Sequence, residues 1–222
     1  MRIALVLALA AVATQTAEAR CITTTLEPRV LSNGFGVVVG ELSADGAATQ
    51  PWPPRWTMQV QGKDVTPVIE TFAPGLVAYH LPPNDVSSRG VLLAGKKQLV
   101  VKQLVKLPVL GAPELKQLVH FTTRTKNPIA RQRSTTRVIV RIEGAVPAAA
   151  VAIVITDADG KALSFGRVQA GESLVAYWQG GCSTLPDGTE EPALGSMARV
   201  FWVDKYGRAS QKSEPMKITK QP

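Results

Sequence analysis

Two histidines are the side chains of this chain best suited to proton transfer near neutral pH. His80 lies in "LVAYHLPP" and His120 in "LVHFTT", each within an apolar run. Acid–base or nucleophilic chemistry needs a partner held beside the imidazole, and the sequence has no GxSxG, HExxH or CxxC motif and no phosphate-cradling glycine loop. We therefore interpret both histidines as structural residues of strands and predict no catalytic residue.

The stretch "TDADGKALSF", residues 156–165, contains part of a calcium-loop pattern in Asp157, Asp159 and Gly160. A complete loop needs a third short acid or amide before the glycine and a bidentate Glu further on. Both are missing from this stretch. It is therefore predicted to be a hairpin turn, and we expect neither a metal nor an organic cofactor.

Cys21 and Cys182 are the two cysteines of the chain. In an exported chain an even count favours a disulfide over two free thiols. A metal site is not expected, because neither cysteine has a Cys or His at ligand spacing. We predict a Cys21–Cys182 disulfide, worth up to about 5 kcal/mol for so long a loop.

Residues 1–19 have the parts of a secretory signal: Arg2, an apolar run over 3–13, and the small-x-small site Ala17-Glu18-Ala19. This run is shorter than the roughly 20 apolar residues of a transmembrane helix. Arg20 stands where lipidation of Cys21 would need a small residue. We expect an exported chain, periplasmic or extracellular, that begins near Arg20 and has no transmembrane segment.

Positive charge is concentrated in the middle of the chain. The net charge is +8, and between Arg89 and Arg141 twelve Lys or Arg accompany one acid, Glu114. This section could bind an anionic envelope component such as lipopolysaccharide, or it could only keep the protein soluble. Nucleic acid is not expected, because Phe121 is the one aromatic residue in the section. The candidate anion contacts are Lys96, Lys97, Lys102, Lys106, Arg137 and Arg141.

Short apolar runs separated by Gly, Pro, Asn and Asp predict strands along most of the chain. The first half has six such runs, at 35–42, 55–60, 66–72, 76–81, 89–95 and 96–107. The second half has seven, at 118–123, 136–142, 149–156, 163–168, 174–179, 198–203 and 214–219. The run 96–107 also fits a helix, but its recurring Val and the following Pro108 favour a strand.

These runs predict an all-β protein with two tandem immunoglobulin-like antiparallel β-sandwich domains. The expected division is a signal peptide at 1–19, a first sandwich at 20–107, a Pro- and Gly-containing linker at 108–113 and a second sandwich at 114–222. In the run 136–142, Val138, Val140 and Ile142 are expected to face inward, with Arg137 and Arg141 outward.

The stretch "FWVDKYGRASQKSEPMKIT", residues 201–219, resembles the closing hairpin of fibronectin type III and related immunoglobulin-like domains. That hairpin has a penultimate apolar strand, an Asp- and Gly-containing turn, serine-rich residues and a short last strand. The corresponding parts here are Val200 to Val203, Asp204 to Gly207, Ser210 with Ser213, and Pro215 to Thr219. Ser196 and Met197 stand where the family usually has a Tyr. The resemblance implies a sandwich of that type for the second half.

Three functions follow in order of preference. The first is an exported, non-catalytic binding or envelope-structural protein whose partner is an unknown protein or an anionic envelope component. The second is a periplasmic assembly chaperone: two such domains, a basic pI and the apolar run 99–107 resemble pilus-type chaperones, which pair a subunit strand. It requires outward-facing apolar side chains at 99–105. The third is an enzyme accessory or hydrolase, for which the sequence offers no site motif.

The disulfide is the first prediction. Mass spectrometry of a non-reduced digest of the mature protein should show the peptides of Cys21 and Cys182 joined, because an exported chain matures where thiols oxidise. Free thiols at both positions, or a covalent dimer, would contradict it.

Overall fold

The structure is a computed structural model that describes residues 28–33, 36–40, 53–83, 89–103, 109–125, 133–172, 174–179 and 192–220. Over these residues the chain forms fifteen strands and no helix, which confirms the predicted all-β class for the part described. The predicted signal, both cysteines and Lys106 lie outside the described residues. The predictions for them stay predictions.

The first half contributes two four-stranded antiparallel sheets. Sheet I has the strand order β4-β3-β7-β8, and sheet II has the order β1-β2-β6-β5. Strand β8 lies within the ambiguous run 96–107 and confirms the strand interpretation for residues 97–102. The strands are β1 (Arg29–Ser32), β2 (Val37–Gly40), β3 (Thr57–Val60), β4 (Lys63–Val65), β5 (Val68–Ala73), β6 (Leu76–His80), β7 (Arg89–Ala94) and β8 (Lys97–Lys102).

The second half contributes sheet III, with seven strands in the order β12-β11-β14-β15-β9-β10-β13. Each of the seven predicted runs overlaps one of them. Neighbouring strands are antiparallel except β15 and β9, which pair in parallel from Ile218 opposite Leu118. The strands are β9 (Leu115–Thr125), β10 (Arg133–Ile142), β11 (Ala150–Asp157), β12 (Ala162–Arg167), β13 (Leu174–Gln179), β14 (Met197–Asp204) and β15 (Met216–Lys220).

The hairpin between β11 and β12 is the one predicted in place of a calcium loop. The side chain of Asp157 accepts a hydrogen bond from the backbone N–H of Lys161 at 2.8 Å, as turn aspartates do. Gly160 has a φ of 92°, in the left-handed region that glycine occupies at little cost. The aspartate is therefore used to close a turn.

Sheet II is covered on both faces. Val37 and Val39 of β2 face a cluster with Met58, Leu92 and Val101 of sheet I, which we call the first core. Successive strand residues point to opposite faces, so Val38 of β2 turns the other way. It enters a cluster with Val154, Phe165, Phe201 and Val203 of sheet III, which we call the shared core.

Sheet III folds over so that two of its parts face each other across a further cluster, the second core. Strands β11 and β14 supply Ile153, Ile155, Val200 and Trp202, and strands β9 and β10 face them with residues that include Leu118, Val138 and Val140. The inward orientation predicted for Val138, Val140 and Ile142 is confirmed, and Arg141 is exposed. The layers therefore run from sheet I through sheet II and the β11–β14 wall to the β9–β10 wall.

The two halves of the chain contribute to one apolar cluster, the shared core. Residues 109–114, between β8 and β9, have no regular structure. The boundaries at 20–107, 108–113 and 114–222 stay a prediction. The described contacts show that the halves are packed face to face.

Two serines fasten the segment between β14 and β15. The hydroxyl of Ser210 accepts a hydrogen bond from Trp202 N–H at 2.9 Å, and that of Ser213 accepts one from Val200 N–H at 3.0 Å. The backbone N–H groups of the same serines donate to the carbonyls of Trp202 and Val200. The serine-rich part of the closing stretch therefore pairs with β14 through both side chain and backbone.

Trp56 packs against the first core. Its ring stacks on Tyr79, with centroids 5.3 Å apart. The Tyr79 hydroxyl donates to the carbonyl of Pro54, within buried surroundings that raise the pKa of that phenol. The proline-rich segment before β3 is thereby attached to sheet II.

The layer order predicts that two valines of the same strand act on different parts of the molecule. Val203→Ala removes buried methyl groups from the shared core, and Val200→Ala removes the same groups from the second core. Each should cost about 2 kcal/mol of unfolding free energy. In hydrogen-exchange mass spectrometry, Val203→Ala should also increase exchange in β2 and β6, whereas Val200→Ala should leave those strands near wild type. Equal effects of both variants on β2 and β6 would contradict the layer order.

Candidate functional site

The six candidate anion contacts do not form one described cluster. Lys97 and Lys102 lie on β8 in sheet I, and Lys96 precedes them in the turn after β7. Arg141 lies on β10, in the wall at the other end of the layer order. The side chain of Arg137 is not among those described, although its backbone belongs to β10. The anion contact itself stays a prediction.

Strand β8 is the end strand of sheet I, as a strand-pairing chaperone would require. Its apolar side chains are used differently, because Val101 is fully buried in the first core and Leu99 packs against that core. These two side chains are turned into the protein itself. The backbone edge of β8 is therefore available to a partner strand. The side chains at 99 and 101, however, do not face outward as the chaperone hypothesis requires.

His80, at the end of β6, joins the two halves. Its Nε2 lies 3.0 Å from the carbonyl oxygen of Gly207, in the turn after β14. A carbonyl can only accept, so the neutral ring must carry its proton at Nε2. The sequence interpretation of His80 as a structural residue agrees with this contact, but the contact also places the imidazole at the junction of the halves.

Glycine is needed at two positions beside this ring. A Cβ at Gly207 would lie 2.8 Å from Cε1 of His80 and 2.7 Å from the side chain of Ala78, and the residue has a φ of 75°. A Cβ at Gly36 would lie 2.9 Å from the same Cε1 and 2.5 Å from the carbonyl oxygen of Tyr206. The backbones of β2, β6 and the 204–208 turn approach closely because these two positions lack side chains.

The turn that meets His80 is built around a buried carboxylate. Asp204 accepts hydrogen bonds at Oδ1 from the backbone N–H groups of Tyr206 and Arg208. Its Oδ2 accepts hydrogen bonds from Nε and Nη2 of Arg208, at 3.0 and 2.7 Å. The Arg208 guanidinium also lies 5.2 Å from the centroid of the Tyr206 ring. The ion pair is satisfied within the turn and holds it rigid.

A cleft of about 420 Å³ opens where this turn meets sheet II. We call it the junction cleft. Its apolar lining comes from Val68 of β5 and from Leu81, Pro82 and Pro83, which follow β6. Its polar lining is Glu70, His80, Gln103 and Arg208. Four separate segments of the chain therefore meet at this cleft.

The charge of the junction cleft at neutral pH comes from Glu70. Burial lowers the pKa of His80 below its usual 6.5, partly offset by the bond to Gly207 and the charge of Asp204, so the ring is neutral. Arg208 is paired with Asp204. Burial and then the charge of Asp204 raise the pKa of the Glu70 carboxyl. Glu70 Oε2 lies 3.8 Å from the neutral His80 Nε2, a polar contact and not an ion pair.

Sequence reasoning named His80 and missed Glu70, Asp204 and Arg208 as its neighbours. The spacing of Asp204 and Arg208, four residues apart around a Gly-containing turn, was a usable local signal. Glu70 gave no such signal, because an acid inside "PVIETF" is typical of the solvent-exposed face of a strand. Among the described residues, no group of three or more His, Cys, Asp or Glu is placed to hold a metal ion.

Comparison with known proteins yields no relative. No model of a protein family, no curated protein and no solved structure matches this chain. In the part of the chain described, no helix is long and apolar enough to cross a membrane.

The contact of His80 predicts an acid-sensitive contribution to stability. Because the pKa of His80 is lower in the folded state, the unfolded chain binds the proton more tightly. This contribution is complete above pH 6.5 and is lost as the pH falls below it toward the lower folded-state pKa. The His80→Gln variant keeps an N–H for Gly207 and cannot titrate there. Its unfolding free energy should therefore fall less than that of the wild type between pH 7.5 and 5.

Glu70 titrates in both proteins, and its raised pKa acts in the opposite direction, so the comparison should be made as the difference between wild type and variant at each pH. His80→Ala serves as a second comparison. It leaves the Gly207 carbonyl without this partner and should cost about 1–3 kcal/mol at pH 7.5. Parallel pH profiles for wild type and His80→Gln would contradict the assignment.

Proposed function

We propose that this chain is an exported, non-catalytic binding protein and that the junction cleft is its binding site. The observation that carries the proposal is the composition of the cleft: a largely apolar lining with a few convergent polar groups. Its volume of about 420 Å³ is within the range of ligand sites, roughly 300–1,000 Å³.

The bonding of the polar groups supports binding in preference to catalysis. The Nε2 of His80 is engaged with the Gly207 carbonyl, and the Arg208 guanidinium is engaged with Asp204. Because these groups are already bonded within the protein, the cleft keeps a fixed shape, which reduces the ordering that a ligand must impose. Glu70, whose side chain is half exposed, is the charged group positioned to meet a ligand.

This charge pattern indicates the kind of ligand. With His80 neutral and Arg208 paired, Glu70 gives the cleft one negative charge beside apolar walls. We therefore expect the bound group to have an apolar part against Val68, Leu81 and Pro82 and a cation or hydrogen-bond donor facing Glu70. A cation there would also relieve the repulsion between the Glu70 and Asp204 carboxylates.

We also propose that the second half is an immunoglobulin-like sandwich of the fibronectin type III kind. Support comes from the pairing of its seven strands: the first, second and fifth form one group, β9-β10-β13, and the others form β12-β11-β14-β15. In constant-type immunoglobulin domains the fourth strand joins the group of the first, second and fifth. Here β12 pairs with β11 instead.

The binding site is testable by site-specific photo-crosslinking. Benzoylphenylalanine at Val68 places the probe in the junction cleft. The same residue at Val109, which is also exposed and does not line the cleft, is the matched control. With an envelope extract, the Val68 probe should give adducts several times more abundant than the Val109 probe. Glu70→Lys should reduce them by removing the negative charge. Equal labelling at both positions, or no adduct at Val68, would refute the proposal.

A further inference from the structure

Strand β5 is the end strand of sheet II, and its described pairing is with β6 alone. Its first four residues, 68–71, are exposed, whereas Phe72 and Ala73 are buried in the shared core. An end strand presents backbone N–H and C=O groups that another chain can pair with. The exposed part of β5 lies directly beside the junction cleft, which Val68 and Glu70 line.

This edge has less protection against strand pairing than the two end strands of sheet I have. Natural end strands are commonly blunted by Lys, Pro or other charges. Strand β8 carries Lys97 and Lys102, and β4 carries Lys63 and Asp64. Strand β5 has no Lys and carries one charge, Glu70; Pro67 lies just before it, and its pairing with β6 shifts register between Thr71 and Ala73. Its adjacent apolar residues Val68 and Ile69 are 43% and 42% exposed.

We infer that the β5 edge binds an extended polypeptide segment of a partner protein by β-strand addition, with one basic side chain facing Glu70. The inference rests on the proposed binding function and names its ligand class. Main-chain hydrogen bonds supply affinity in this mode, and alternate side chains supply specificity.

The side chains of β5 point alternately to the two faces of sheet II, and this alternation sets which residue types the added segment needs. Val68 and Glu70 face the cleft side of sheet II, and Ile69 faces the other side. Residues directly opposite on neighbouring strands interact, so the segment needs an apolar residue opposite Val68, an apolar residue opposite Ile69 and a Lys or Arg opposite Glu70. Arg208 does not oppose this cation as a free charge would, because Asp204 neutralises it.

The probe is a synthetic acetylated and amidated peptide, serine-threonine-lysine-valine-valine-lysine-threonine-serine. Its central four residues read the same in both directions, so they fit a parallel or an antiparallel strand. Binding of a fluorescent version to the full mature chain is measured by anisotropy. We expect Ile69→Lys and Glu70→Lys each to weaken binding at least tenfold, and Val109→Lys, the same change at another exposed apolar position, to leave it within twofold.

N-methylated peptides test the backbone pairing on the unchanged protein. Methylation of alternate residues blocks the N–H groups of one edge of an extended strand, and methylation of the other set blocks the opposite edge. Strand addition uses one edge at a time, and reversal of this symmetric peptide exchanges the two edges, so either set alone leaves one direction able to bind. A third peptide with both sets methylated can pair through neither edge and should lose at least tenfold in affinity. Binding of this third peptide like the parent, no binding of the parent, or equal effects of Ile69→Lys and Val109→Lys would overturn the inference. A cleft that still crosslinks its ligand through position 68 would leave the proposed function standing.

Discussion

The double burial of sheet II is the constraint on which the rest of this structure depends. In β2 and β6, consecutive residues such as Val37 and Val38, or Val77 and Ala78, are fully buried, although they point to opposite faces. A strand that is apolar on both faces is unstable until each face is covered. Sheet I covers one face and sheet III covers the other. The second half is therefore held in place because the outer face of sheet II has to be buried.

The sequence predicts most strands because their information is local. The seven runs of the second half and the six of the first each overlap an observed strand, since alternation and turn residues are read within a few positions. Strands β1 and β4 were missed. Lys63–Val65 is three residues long and mostly polar, so only its pairing with β3 makes it a strand. The surface that covers Val38 could not be predicted either. An apolar side chain shows that burial is required, but it does not show which residues provide it.

The site was less predictable than the fold for the same reason. The ring of His80 meets the carbonyl of Gly207, 127 positions along the chain, and no local pattern encodes that contact. Its preconditions are also nonlocal, since Gly36 and Gly207 are significant only once the two backbones approach. The Asp204–Arg208 pair is local and could have been read as a rigid turn. The contact between this turn and β6 could not have been predicted from the sequence.

The covering of sheet II also explains where a binding surface can form. The shared core buries the end of β5 at Phe72 and Ala73, and it stops short of Val68 to Thr71. The same strand is therefore fixed by packing at one end and exposed at the other. The boundary between these two parts is lined by Glu70, by His80 and by Arg208 in its ion pair. A rigid edge beside a preformed cleft follows from a second half that covers most, but not all, of the sheet beneath it.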